Sequence, residues 1–287
     1  MTFVRKQARG VALLLVLWLL VLITGLVSAF SLTARVEAMQ GQWLGRSVAA
    51  RLAAESGIEL AAARLSEQEP ARQWQADGRA YTFAFDGWRV RVRVQDESGK
   101  VDINAATPDV MTGLLKALGE DPASAERLAA AINDWHDNDD LLSAGVGAED
   151  PQYAAENLPY GAKDRPFELV SELRLVLGMT PALYQKLEPY VTVYSGRSQP
   201  DPSSAPALVL RAIGLDATRV AEIEAQRSAA TLGTLAGTGS GTYSISSEAV
   251  RQDGARAAQH AVVRLGAGGG NAGQLYTPLA WRVGDTD

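Results

Sequence analysis

"RKQARGVALLLVLWLLVLITGLVSAFS", residues 5–31, places a short basic tip in front of a long apolar run. The 20 residues of 11–30 carry no charge, and a helix of that length, at ~1.5 Å per residue, spans a ~30 Å hydrocarbon core. The apolar core of a secretory signal is usually shorter, at about 7 to 15 residues. We therefore expect a transmembrane helix over 11–30. Removal by signal peptidase after the small residues Val27-Ser28-Ala29 is the alternative.

The charges that flank this run predict its orientation. Arg5, Lys6 and Arg9 precede it, and basic residues stay on the cytoplasmic side of a membrane. We expect a cytoplasmic N-terminus and an exported remainder, which in a bacterium lies in the periplasm.

The helical pattern continues beyond the apolar run. No proline occurs between Ser31 and Glu69, and Pro70 is the first residue that would stop a helix. Apolar residues recur at helical spacing, which predicts a stripe that packs on a globular domain. The stripe consists of Leu32, Val36, Met39, Trp43, Leu44, Val48, Leu52, Ile58, Leu60 and Leu65.

Composition excludes several classes of function. The chain of 287 residues has a net charge of -6, no cysteine and two histidines, His136 and His260. The absence of cysteine excludes disulfides, thiolate metal sites and cysteine nucleophiles. Only two histidine side chains could take part in imidazole-based catalysis. Basic residues are scattered, so the chain lacks the usual basic footprint of a nucleic-acid-binding protein.

Four segments alternate apolar and polar residues as half-buried strands do. Residues 79–95 form the first segment, and residues 90–106, "VRVRVQDESGKVDINAA", lead from it through a turn at Ser98-Gly99. The others are "TYSISSEAV" (242–250), "AAQHAVVRLG" (257–266) and "QLYTPLAWRV" (274–283). We expect these strands to form one antiparallel sheet packed on the N-terminal helix. Residues 31–100 and 231–287 would together make up this α+β domain.

Residues 101–230 read instead as an inserted helical domain. Residues 114–132 and 208–226 each consist of an apolar helix, a glycine cap, a turn and a second helix, with a third such unit over 169–191. Such pairs resemble helix-hairpin-helix or SAM-like modules. Their turns carry acidic or neutral residues where a phosphate-binding turn needs positive charge, so packing is favoured over DNA binding.

An acidic loop, "NDWHDNDDLLSAGVGAEDPQY" (133–153), is the candidate site. No Lys or Arg lies between Asn133 and Ala162, and carboxylates this dense repel one another. Oxygen ligands without cysteine suit calcium, although the spacing is not that of an EF-hand. A solvated acidic turn and the paired carboxylates of a metal-dependent hydrolase remain alternatives. The first candidates are Asp137, Asp139, Glu149 and Asp150, followed by Asp134 and Asp140, with His136 at the surface or behind them.

The start of the chain resembles a type IV prepilin-like protein. A basic leader, residues 1–10, ends in Gly10, and the apolar helix begins at Val11. The resemblance implies cleavage between Gly10 and Val11 by prepilin peptidase, with N-methylation of Val11. Most such proteins carry Glu at the fifth mature position, where this chain has Leu15. That departure is the pattern of one minor pseudopilin, protein K of the type II secretion system (GspK).

The remaining motifs are similar to the same family in order and spacing. They are the strand and turn of 90–106, "AINDWHDNDD" (131–140), residues 147–180 and the closing "YTPLAWRV" (276–283). The resemblance implies a pilin-like α+β fold with a large inserted all-α domain, structural calcium, and no enzymatic activity. It also implies an inner-membrane protein at the pseudopilus tip, partnered by minor pseudopilins I and J, the major pseudopilin and the secretin channel.

Overall fold

A computed structural model describes residues 9–229, 239–266 and 275–284. Its first element is helix α1, Arg9–Leu65, of 57 residues. Within the described residues this is the one helix that is long and apolar enough to cross a membrane, by length and composition. Residues 1–8 of the predicted leader, and the glycine-rich residues 267–274, lie outside the described residues.

Helix α1 ends at Leu65, five residues before Pro70, so the predicted end was wrong. The chain turns back here and satisfies the last carbonyl groups of the helix. Ser66 Oγ donates to Ala62 O at 2.9 Å, and Gln73 Nε2 donates to Leu65 O at 3.1 Å. A returning loop therefore caps the helix before proline is reached.

Five antiparallel strands form the main sheet, in the order β1-β2-β5-β6-β7. Strands β3 and β4 form a separate parallel pair. In chain order the strands are β1 Asp77–Phe85, β2 Trp88–Asp96, β3 Val101–Asp102, β4 Val191–Thr192, β5 Thr242–Arg251, β6 Arg256–Leu265 and β7 Tyr276–Gly284.

Small residues, together with Ile58 and Leu65 from the end of the predicted apolar stripe, pack α1 against the sheet. Leu32, Val36, Met39, Trp43, Leu44, Val48 and Leu52 are all exposed, which corrects that part of the prediction. The helix instead buries alanines at 50, 53, 54 and 61, together with Ile58, against the valines of β2. A Cβ on Gly57 would lie 2.1 Å from Ser247 Oγ and 2.8 Å from Val92 Cγ2. Every described residue of 12–46 is exposed, so this part of α1 extends beyond the sheet, and Val48 and Leu52 lie on the exposed side of the packed part.

Among the described residues, six α-helices lie between β3 and β5 and enclose a second core. They are α2 Pro108–Ala117, α3 Pro122–His136, α4 Asp150–Ala155, α5 Pro181–Leu187, α6 Ala207–Ala212 and α7 Ala217–Ala229. Gly119 and Gly214 have φ of +101° and +89° at the two predicted caps, a conformation that favours glycine. The third unit differs from expectation, because its first half is a 3₁₀ helix, Val170–Leu175.

Candidate metal-binding site

The acidic loop joins the end of α3 to the start of α4. Asp134 lies in the last turn of α3, is fully buried, and accepts a hydrogen bond from Ser143 N at 3.0 Å through Oδ1. Asp137 follows the last residue of the helix, and Glu149 immediately precedes α4. The end of α3 and the start of α4 thus bring together Asp134 and Glu149, which are 15 positions apart in sequence.

Three carboxylates each keep one buried oxygen without a hydrogen-bond partner among the described residues. These atoms are Asp134 Oδ2, Asp137 Oδ1 and Glu149 Oε1. Asp137 Oδ2, by contrast, accepts from Asn133 Nδ2 at 2.8 Å. Buried polar atoms are nearly always satisfied, and burying an unpaired charge is costly. The unsatisfied oxygens therefore indicate that a positively charged group belongs here.

The carboxylates also raise one another's proton affinity. Burial, followed by repulsion from Asp134 and Asp137, raises the pKa of Glu149 to about 7. Burial, followed by repulsion from Asp134 and Asp139, raises the pKa of Asp137. Without a counter-charge, part of the site holds protons where carboxylates are normally ionised.

The protein supplies no such counter-charge from its described residues. None of the six predicted carboxylates forms an ion pair with a described Lys or Arg. The nearby ammonium group of Lys163 is instead 2.7 Å from Glu172 Oε2 and 3.7 Å from Glu168 Oε1. The negative charge of the loop is thus not neutralised by any described Lys or Arg.

Two glycines let the backbone pass directly over carboxylate groups. A Cβ on Gly147 would lie 1.9 Å from Asp134 Oδ2, and one on Gly161 would lie 1.7 Å from Asp150 Oδ1. The loop therefore closes over the unpartnered oxygen of Asp134 only because residue 147 has no side chain.

The structure separates the predicted residues into two groups. Asp134, Asp137 and Glu149 each have a buried, unpartnered oxygen, whereas Asp139, Asp140 and Asp150 are exposed. Asp139 Oδ1 accepts from Leu141 N at 2.9 Å, and Asp150 Oδ1 accepts from Ala162 N at 3.1 Å. Across the described residues, no three His, Cys, Asp or Glu side chains form a ready coordination group. Coordination of one ion would therefore need a small adjustment of the loop.

Two further residues complete the surroundings of the site. His136 is partly buried, with its ring edge-on to Phe167 at a centroid distance of 5.9 Å, and burial lowers its pKa. Sequence reasoning missed Asp164, whose charge also acts on Glu149. Its φ of +53° in a turn far along the chain gives no signal in the sequence pattern.

The fold defines a class: a pilin-like protein with a long N-terminal helix on an antiparallel sheet and an inserted helical domain. A chain in the crystal structure of the GspK-GspI-GspJ complex from the enterotoxigenic Escherichia coli type 2 secretion system has this fold. The TM-score is 0.55 at 19% identity, covering 88% of this chain and 99% of that one. The predicted fold class is confirmed.

The sequence comparisons show which family the chain resembles. Residues 92–196 match the family model of type II secretion system (T2SS), protein K. Type II secretion system protein K of Klebsiella pneumoniae is 33% identical over 213 residues, 64% of this chain and 62% of that protein. Its namesake from Pectobacterium carotovorum subsp. carotovorum is 32% identical over 216 residues, 65% and 63% respectively. The chain thus spans just under two thirds of these relatives, and the predicted resemblance to protein K is confirmed.

Proposed function

We propose that this chain is a minor pseudopilin of the type II secretion system, which moves proteins across the outer membrane. The observation that carries the proposal is the match of residues 92–196 to the protein K model, within a chain of pilin-like fold. The precursor is cleaved after Gly10 and methylated at Val11. The protein is anchored in the bacterial inner membrane by one helix, with its N-terminus cytoplasmic and its C-terminal domain periplasmic.

Its role is mechanical and not enzymatic. Leu15 stands where filament subunits carry a glutamate that would neutralise the N-terminal amine of a neighbour, so no subunit is needed above this one. The inserted helical domain adds bulk, which also suits the tip of the pseudopilus. There the protein starts or limits assembly. The comparisons do not favour the periplasmic hydrolase that the acidic loop alone left open.

The proposed partners are the minor pseudopilins I and J, joined through packed N-terminal helices. The exposed apolar residues of α1 support this contact, since Trp43 is 70% and Leu44 56% exposed beyond the apolar run. Exposed apolar patches of this kind mark interaction sites. In this proposal the major pseudopilin forms the filament below the tip, and the secretin channel lies in front of the tip.

Co-purification of the full chain with pseudopilins I and J of the same bacterium tests this assignment. We expect a three-protein complex whose recovery falls roughly tenfold for Trp43→Ser/Leu44→Ser, because interface aromatics carry much of the binding energy. Leu141→Ser, which alters a 75% exposed leucine on the acidic loop, is the control and leaves recovery unchanged. No complex with the native chain, or equal losses in both variants, would contradict the proposal.

We further propose structural calcium at the acidic loop. Asp134, Asp137 and Glu149 supply the unpartnered buried oxygens, and Asp139, Asp140 and Asp150 lie beside them on the exposed side. Calcium takes 6 to 8 oxygen ligands, including carbonyl oxygens and water, and tolerates irregular geometry. The ion would fix a long loop in a chain without disulfides.

A further inference from the structure

Charge is divided unevenly along the chain. Residues 101–230 hold 20 Asp and Glu against 10 Lys and Arg, a net charge of -10, while the whole chain carries -6. The pilin-like part, residues 31–100 and 231–287, holds 14 Lys and Arg against 13 Asp and Glu, a net charge of +1, and the remaining +3 belongs to residues 1–10. Most of the acidic charge lies with the helical region, whereas one side of the sheet carries a local surface of basic residues.

Three arginines on β2 form this surface, which we call the arginine face: Arg89, Arg91 and Arg93. The alternate residues Val90, Val92 and Val94 are buried under α1, so the arginines point to the opposite side of the sheet. All three are exposed. Side chains two apart on a strand are ~6.8 Å from each other, which produces a regular row of positive charge.

Neighbouring strands leave this row largely uncompensated. The directly opposite residues on β1 are small and uncharged: Ala84, Thr82 and Ala80. On β5 they are Val250, Glu248 and Ser246, so one acid faces three arginines. No arginine of the face forms an ion pair within the described residues. Like charges at this spacing repel one another, and the arginine side chains contribute nothing to the core.

The same side of the sheet already binds a carboxylate group. Arg93 lies opposite Ser246, Ser246 opposite His260, and His260 opposite Arg282, so the four side chains share one side. Arg282 Nη1 is 2.7 Å from Oε1 of Glu188, which comes from the helical region. This contact shows the chemistry that the surface accepts: a protein carboxylate on a guanidinium group.

The direction of α1 argues against a membrane as the ligand of this face. The helix that crosses the membrane continues along the inner side of the sheet: Gln259 contacts Arg51, and Tyr276 farther up contacts Glu59. The strands therefore run alongside the helix axis, and the outer side of the sheet is parallel to that axis. A bilayer lies across that axis, so its headgroups cannot cover the row.

We propose that the arginine face binds an extended acidic segment of a partner protein, with carboxylates at alternate positions. The repeat of such a segment, ~6.8 Å between every second residue, equals that of the arginines. Each guanidinium group can hold one carboxylate through two hydrogen bonds. This contact is separate from the apolar face of α1 and does not depend on the pseudopilin assignment.

Fluorescence anisotropy tests this with the full chain in detergent and a labelled nine-residue peptide in which glutamate and threonine alternate. We expect Arg89→Gln/Arg91→Gln/Arg93→Gln to weaken binding roughly tenfold, with a smaller loss for Arg91→Gln alone. The control Arg127→Gln/Arg165→Gln/Arg211→Gln removes the same charge from exposed sites on the helical region and leaves the affinity within about twofold. Melting temperatures that are no lower than that of the native chain show that the variants are folded.

Several results would overturn the proposal. Equal losses in both triple variants would mean that the peptide senses net charge alone. Tighter arginine-dependent binding of phosphatidylglycerol vesicles or heparin would assign the surface to another ligand. Salt-sensitive self-association that is lost in the arginine variant would assign it to a second copy of this chain. Absence of peptide binding at low salt would also refute it.

Discussion

Chelation of calcium is expected to lower the melting temperature of the full chain by roughly 5–10 °C. A ligand at 100 times its Kd stabilises the folded state by about 2.7 kcal/mol, and a chain of this size shifts by about 2–4 °C per kcal/mol. The physical reason is that Asp134, Asp137 and Glu149 keep unpartnered buried oxygens. Melting curves in EDTA and in millimolar calcium provide the measurement.

The pH dependence of stability, measured after EDTA has removed calcium, is a second test of the same site. The folded chain raises the pKa of Glu149 from its ordinary value of 4.5 to about 7. Between these values the folded state binds more protons than the unfolded state, so stability falls as the pH rises through this window. In EDTA we expect a higher melting temperature at pH 5 than at pH 7.5. Calcium should remove or reverse this trend.

Asp134→Asn and Glu126→Gln separate the site from general effects of charge. Asp134 is fully buried in the site, while Glu126 is exposed on the same helix. We expect the stabilisation by calcium to disappear with Asp134→Asn and to persist with Glu126→Gln. Melting curves that are identical with and without EDTA, once trace calcium is exhausted, would rule out structural calcium.

Glu97→Ala is expected to lower the free energy of unfolding by about 3–5 kcal/mol, because it leaves the largely buried ammonium group of Lys100 without its carboxylate partner. Glu97 is 1% exposed, and its Oε1 lies 2.6 Å from Lys100 Nζ. The same carboxylate also accepts hydrogen bonds from Thr192 of β4 and Ser244 of β5. It therefore fastens the end of β2 both to the helical region and to the main sheet.

Chemical denaturation of the full chain measures this cost, and an exposed ion pair of equal spacing is the control. Glu69 and Arg72 are also three residues apart, but their side chains are 56% and 64% exposed. Glu69→Ala should cost less than about 1 kcal/mol, since solvent screens such pairs. If the two substitutions had the same effect, the proposed role of Glu97 as a buried residue that connects β2 to β4 and β5 would be wrong.

Strand positions were well predicted because alternation is a local signal. Residues 242–250 and 257–266 coincide closely with β5 and β6, since one face of each strand is buried. The contact between α1 and the sheet was predicted, and so were two of its residues, Ile58 and Leu65, but the alanines and Gly57 were not. Hydrophobic patterns give weight to large side chains such as Leu52, which is exposed, whereas close helix–sheet packing selects alanine and Gly57.

Only part of the candidate site could be read from the sequence. The acidic loop stands out because no basic residue interrupts it. Which oxygens are buried depends on how the loop folds over Asp134, and this is set by the position of Gly147. Asp164 enters the site through a turn from outside the loop, so its contribution is a tertiary effect that local patterns do not show.

The mass of the mature chain tests the pseudopilin assignment most directly. The full precursor is produced together with prepilin peptidase, and the N-terminal peptide is analysed by mass spectrometry. We predict a chain that starts at a methylated Val11. A chain that starts at Phe30, as after signal peptidase cleavage, or that retains Met1, would contradict the assignment.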